Sequence, residues 1–95
     1  MGLLDKLRRS KAIDPDERRR RLLVQGRITD GVIIDTHFDD GGNEVAHYLY
    51  TLNGVDFESV DVLTEHQRND RVRYAPGARV GVRYDPRNQG NSILE

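Results

Sequence analysis

The sequence contains no cysteine, no tryptophan and a single methionine. Without cysteine there is no disulfide framework, no thiol nucleophile and no thiolate zinc site, a composition that fits a reducing cytoplasm. Without tryptophan, the core has to be filled largely from four tyrosines, two phenylalanines and the aliphatic residues. No apolar run approaches the roughly eighteen residues of a membrane span, and the N-terminus lacks the apolar centre of a signal peptide. Met1-Gly2 does not open a myristoylation signal, because Lys6 stands where that pattern needs Ser or Thr. No serine sits in a Gly-x-Ser-x-Gly elbow and no glycine-rich stretch opens a helix as a phosphate loop does, which removes two large classes of enzyme motif. Only three prolines occur, and each marks a boundary: Pro15, Pro76 and Pro86.

What remains is a 95-residue chain, 36% hydrophobic and 33% charged. A single small domain of this size buries roughly 60 to 65% of the surface that its unfolded chain exposes. Its core is thin, its stability is expected to be modest, and self-association is one way of supplementing it. The net charge of −1 conceals an asymmetry. Residues 1–27 carry nine Lys/Arg against four Asp/Glu, or +5, and residues 28–95 carry six against twelve, or −6. The acidic surface nearest to the basic end is the protein's own second part.

Gly2 to Lys11 reads as a short amphipathic helix with Leu3, Leu4 and Leu7 on one face and Lys6, Arg8, Arg9 and Lys11 around the rest. A helix this short is marginal in water, so its leucines need a surface. The domain itself or a second copy is favoured over a lipid headgroup layer or a frayed tail. Asp14-Pro15-Asp16-Glu17 signals a second helix: Asp14 as cap, Pro15 at the first helical position, and Glu17 reaching back as in a capping box. It runs through Arg18, Arg19, Arg20 and Arg21 and stops near Gly26. Four successive arginines at about 100° each spread around the helix rather than forming one stripe, which favours a solvated, salt-bridging face over a nucleic-acid or lipid contact.

Five strands follow. Ile28–Thr36 is rich in Val and Ile, with Gly31 where a bulge or bend is expected. Phe38–Asn43 is a turn, and Glu44–Leu52 carries Ala46, Tyr48, Tyr50 and Leu52 on one face. Asn53-Gly54 is a strong hairpin signal leading into Val55–Leu63, where Val55 and Phe57 give way to Val60 and Val62 in the opposite phase, the mark of a bulge. Thr64–Tyr74 reads as a loop or a single helical turn. Val80, Val82 and Tyr84 alternate along a fourth strand that Asp85-Pro86 stops, and Ser92-Ile93-Leu94 supplies a short fifth at the edge. The whole is α+β but mainly β: a helical hairpin over residues 1–26, then, over residues 27–95, a small, strongly bent five-stranded antiparallel sheet or partly open barrel, OB- or SH3-like.

Gly31-Val32-Ile33, Tyr48 to Phe57 around Asn53-Gly54, the closing run Gly77 to Asn88 that contains Val80-Gly81-Val82-Arg83-Tyr84-Asp85-Pro86, and Ser92-Ile93-Leu94 together resemble the bacterial domain of unknown function 3592. The resemblance covers about residues 31–94, and its specific part is the closing motif, in which Gln89 replaces the second proline. It implies a small β-barrel with an accessory or interaction role and no catalytic residue. Family members are often tethered by membrane helices, and this sequence offers none to carry that over.

His37, Asp39, Asp40 and His47 flank the first hairpin, where imidazole and carboxylate suit zinc or nickel. Ordinary turn chemistry and solvated strand-end histidines account for them more simply, so no metal or cofactor is assigned. Glu65 and His66 fit a polar loop better than an acid/base pair. Tyr48, Tyr50, Phe57 and Tyr84 match the inward face rather than a base-stacking platform, and the acidic β half opposes phosphate binding there. The sequence thus indicates a non-catalytic, cytoplasmic interaction module, self-associating or binding a protein partner through Leu3, Leu4 and Leu7. The alternative is nucleic-acid or anionic-membrane binding through the basic helices and Arg18, Arg19, Arg20 and Arg21.

Overall fold

A computed structural model of the chain describes residues 14–95. The helix expected over Gly2–Lys11, with Leu3, Leu4 and Leu7, lies outside the described residues, and the helical hairpin is not confirmed. Helix α1 (Pro15–Gln25) begins where the sequence places it. The Asp14 side chain accepts the Asp16 amide hydrogen at 3.0 Å and Pro15 takes the first helical position. The capping box does not form there. Glu17 turns instead to Arg21, one helical turn on, at 3.2 Å, the i,i+4 spacing at which a carboxylate and a guanidinium face each other. A complete box does form at the single-turn helix α2 (Glu65–Arg68), between Thr64 and Gln67.

The five strands are β1 (Arg27–Phe38), β2 (Glu44–Leu52), β3 (Val55–Val62), β4 (Arg79–Asp85) and β5 (Asn88–Leu94), in the antiparallel order β3-β2-β1-β4-β5. The sheet is nearly closed into a barrel. Strand β1 makes this curvature: its first part, Arg27–Val32, pairs with β4, and its second part, Gly31–Phe38, pairs with β2. Where the two pairings overlap sits Gly31. A Cβ there would fall 2.7 Å from Val82 Cγ2 and 3.0 Å from the Leu49 carbonyl oxygen, so only glycine lets the neighbouring strands approach this closely.

The bulge lies three residues beyond Gly31. Ile33 pairs with Tyr48 and Asp35 with His47, leaving Ile34 as the extra residue. The bulge expected in β3 is absent, and the β2–β3 ladder runs unbroken from Val45–Val62 to Leu52–Val55. Val60 and Val62 stay on the outward face, while Phe57, Ser59 and Asp61 point inward. The hairpin between these strands turns on Asn53 (φ 52°) and Gly54 (φ 80°), the two successive positive φ values that Asn-Gly supplies most readily. Strand β5 is longer than its apolar residues suggest. Asn88–Asn91 lacks alternation, yet the tight Asp85–Asn88 turn, with Arg87 donating its amide hydrogen to Asp85 Oδ1 at 2.8 Å, holds it beside β4.

The core is built from Ile33, Ala46, Tyr48, Tyr50, Leu52, Leu63, Tyr74, Val80, Val82 and Leu94, with Phe57 and Tyr84 packed against it. Tyr50 is its centre. Its ring stacks on Phe57 at 5.3 Å, Tyr48 at 6.0 Å and Tyr84 at 6.4 Å, so these four aromatic residues are inside, as their alternation requires.

Candidate interaction surface

Strands β3 and β5 come together without forming a ladder, and side chains bridge them instead. Glu95 donates its amide hydrogen to the Gly81 carbonyl, the bond that flanks a non-hydrogen-bonded Val82–Leu94 pair, so the amide and carbonyl of Leu94 face the open seam. Asp61 Oδ2 accepts the Leu94 amide hydrogen at 2.9 Å, and the Leu94 carbonyl accepts from Gln67 Nε2 at 3.1 Å and Arg19 at 3.0 Å. Arg19 also lies 3.6 Å from Asp61. Burial raises the Asp61 carboxyl above its ordinary value, against the pull of the Leu94 amide, Arg19 and Arg18. Arg18 donates to Asn91 Oδ1 and to the Ser92 carbonyl, each at 2.8 Å.

The arginine run is therefore divided. Arg18 and Arg19 are half-buried and tie α1 to β5, with Arg19 also reaching Asp61 across the seam, whereas Arg20 and Arg21 are exposed. Between α1 and the β4–β5 turn lies an open cleft of about 460 Å³, lined by Arg18, Arg21, Gln25, Asp85, Arg87 and Asn91 among others.

The outward face of β1, β2 and β3 has a different character. Cross-strand register sets Val62, Val45 and His37 in one row, Val60, His47 and Asp35 in the next, and Glu58, Leu49 and Val32 in a third. Val32, Ile34, Val60 and Val62 keep 39%, 46%, 53% and 49% of their surface exposed. An antiparallel sheet with one face on its core normally turns polar residues outward, and this one presents valine and isoleucine. Ile34, Asp35, His47, Glu58 and Val60 are among the residues lining a shallow depression of about 550 Å³ there. Asp35, Asp56 and Glu58 give the face an acidic edge. Sequence reading missed this surface, although Val32-Ile33-Ile34 and the out-of-phase Val60 and Val62 signalled apolar residues on both sides of their strands.

Of the metal candidates, the fold brings His37 and His47 together, with His37 Nδ1 and His47 Nε2 3.2 Å apart. It does not bring in Asp39, whose carboxylate closes its own loop by accepting amide hydrogens from Gly41 and Asn43, each at 2.9 Å. The Asn43 amide foremost holds the Asp39 carboxyl below its ordinary value. No group of three or more metal-ligating side chains occurs among the described residues. His66 is on α2 and is not among the residues lining the depression beside His47. No helix among the described residues is long and apolar enough to cross a membrane.

Residues 24–95 match the family model described as Domain of unknown function (DUF3592). The chain belongs to this family. No curated protein and no solved structure matches it. The DUF3592 match takes in all five strands, α2 and the apolar outer face, together with Asp61, Gln67 and Leu94 at the seam. Arg18 and Arg19 lie before it, so the helix that braces the seam is mostly outside the matched region.

Proposed function

We propose that this DUF3592 protein is a non-catalytic, self-assembling interaction module, in which the leucine-bearing N-terminal segment of one copy seats on the outer β1–β2–β3 face of another. The observation that carries this reading is the run of half-exposed Val32, Ile34, Val60 and Val62 on that face. The occupant is chosen by chemistry. Residues 1–13 hold Leu3, Leu4 and Leu7 beside Lys6, Arg8, Arg9 and Lys11, and the face that would receive them is edged by Asp35, Asp56 and Glu58. Apolar area supplies the attraction and opposite charge the orientation. Binding of nucleic acid or an anionic membrane through the arginine run is the weaker reading, because two of its four guanidinium groups already serve the barrel.

The test is solution mass by light scattering on the full chain, on a chain lacking residues 1–12, and on Val60→Lys. A dimer or larger species that becomes monomeric in both variants is the expected result. A full chain that is monomeric overturns the proposal. If its stability also falls on deletion, the segment packs on its own copy instead.

A further inference from the structure

We propose that His37 and His47 form a two-imidazole site for a first-row divalent cation with nitrogen preference, of the zinc or nickel kind, at the hairpin end of the outer face. The proposal stands on its own geometry and does not depend on self-assembly. Two nitrogens bound to one ion at about 2.0–2.1 Å lie about 2.9 Å apart at a right angle and about 3.4 Å apart at the tetrahedral angle. The 3.2 Å separation of His37 Nδ1 and His47 Nε2 falls between those limits. The ring centroids are 4.9 Å apart with planes at 45°, and the two nitrogens share one hydrogen in a hydrogen bond, so moving that hydrogen to the other nitrogen of its own ring frees both lone pairs for one ion.

The backbone holds the pair in place. His37 is opposite Val45 and His47 opposite Asp35 in one continuous ladder, which makes the histidines diagonal neighbours on the same face. His37 is exposed and His47 half-exposed, so a hydrated ion reaches them without any opening of the fold. Asp35 and Glu58 line the depression beside His47, so the local field favours a cation. With no third side-chain ligand grouped there among the described residues, water completes the coordination shell. Imidazole selects for zinc, nickel and copper over magnesium and calcium, which take oxygen ligands.

The experiment is titration of the untagged full chain with Zn²⁺ alone, followed by calorimetry and by the ring-proton resonances of the three histidines, beside His37→Gln, His47→Gln and His66→Gln. Both paired positions are at least partly exposed, and circular dichroism verifies that each variant is folded. Saturable binding that weakens at least tenfold in His37→Gln and in His47→Gln, is unchanged in His66→Gln, and is not competed by Mg²⁺ is the expected result, with ring shifts at His37 and His47. Absence of binding, or binding that survives either paired substitution undiminished, overturns the proposal.

Discussion

Asp61 on β3 accepts the amide hydrogen of Leu94 on β5 at 2.9 Å, across the one gap that the five-stranded order leaves open. A backbone ladder there would have closed the barrel. A carboxylate, a glutamine and an arginine close it instead, so the seam depends on groups whose charge and reach can be altered one at a time.

The first consequence is a pH dependence of unusual sign. The folded Asp61 carboxyl is raised above its unfolded value by burial. Between those two values the folded state holds the proton more tightly, so this residue's contribution to stability falls as pH rises through the window and is flat above it. Denaturant midpoints of the parent and Asp61→Asn, measured from about pH 4 to about pH 7, should show the parent losing stability relative to the variant with rising pH. An ordinary paired carboxylate would give the opposite slope.

Neighbouring arginines on α1 should behave very differently. Arg19→Ala removes one of the two donors to the Leu94 carbonyl, leaving Gln67, and takes away the cation at 3.6 Å from the half-buried Asp61. It should cost about 1–3 kcal/mol. Arg20 is exposed, and Arg20→Ala should stay within about 0.5 kcal/mol. Equilibrium unfolding in urea distinguishes the two.

Packing at the bend of β1 gives a third expectation. Gly31→Ala puts a methyl group 2.7 Å from Val82 Cγ2, an overpacking that should cost about 1–3 kcal/mol. Val82→Ala leaves a cavity at a fully buried position. In the double variant the two errors partly cancel, and unfolding free energies should sum to clearly less than the two single losses.

Inside the barrel, the Tyr48 and Ser92 hydroxyls are 2.7 Å apart and buried. Tyr48→Phe leaves a buried serine without this partner and should cost about 1–3 kcal/mol. Ser92→Ala should then cost less in the Tyr48→Phe background than in the parent, as thermal or chemical unfolding of the four proteins will show.

Much of this architecture is legible in residue order alone. Alternation in β2 and β4 placed Ala46, Tyr48, Tyr50, Val80 and Val82 inside, and Asn53-Gly54 fixed the register of β2 against β3, because these are local choices of period and turn. The start of α1 at Asp14-Pro15 was equally local. The phase of Val60 and Val62 was misleading, since a sequence shows that apolar residues change phase but not whether the strand shifts or the residues face outward. Structure gives the second answer, and with it the apolar outer face. The arginine run was similarly ambiguous: helical geometry spreads Arg18 to Arg21 around an axis, but only the docking of α1 decides that Arg18 and Arg19 meet β5 while Arg20 stays exposed and Arg21 pairs with Glu17 at the surface.

Residue order was enough for the inward faces of β2 and β4, the Asn53-Gly54 turn, the inward Tyr48, Tyr50 and Tyr84, and the family, all of which depend on neighbours within a few residues or on a shared pattern. Folding alone brings Asp61, Gln67 and Arg19 to Leu94 and His37 to His47. Those encounters join residues ten to seventy-five positions apart. The meetings at Leu94 follow from how far the sheet bends, at the close approach of Gly31 and the bulge at Ile34, and the meeting of the histidines from the β1–β2 register beyond that bulge.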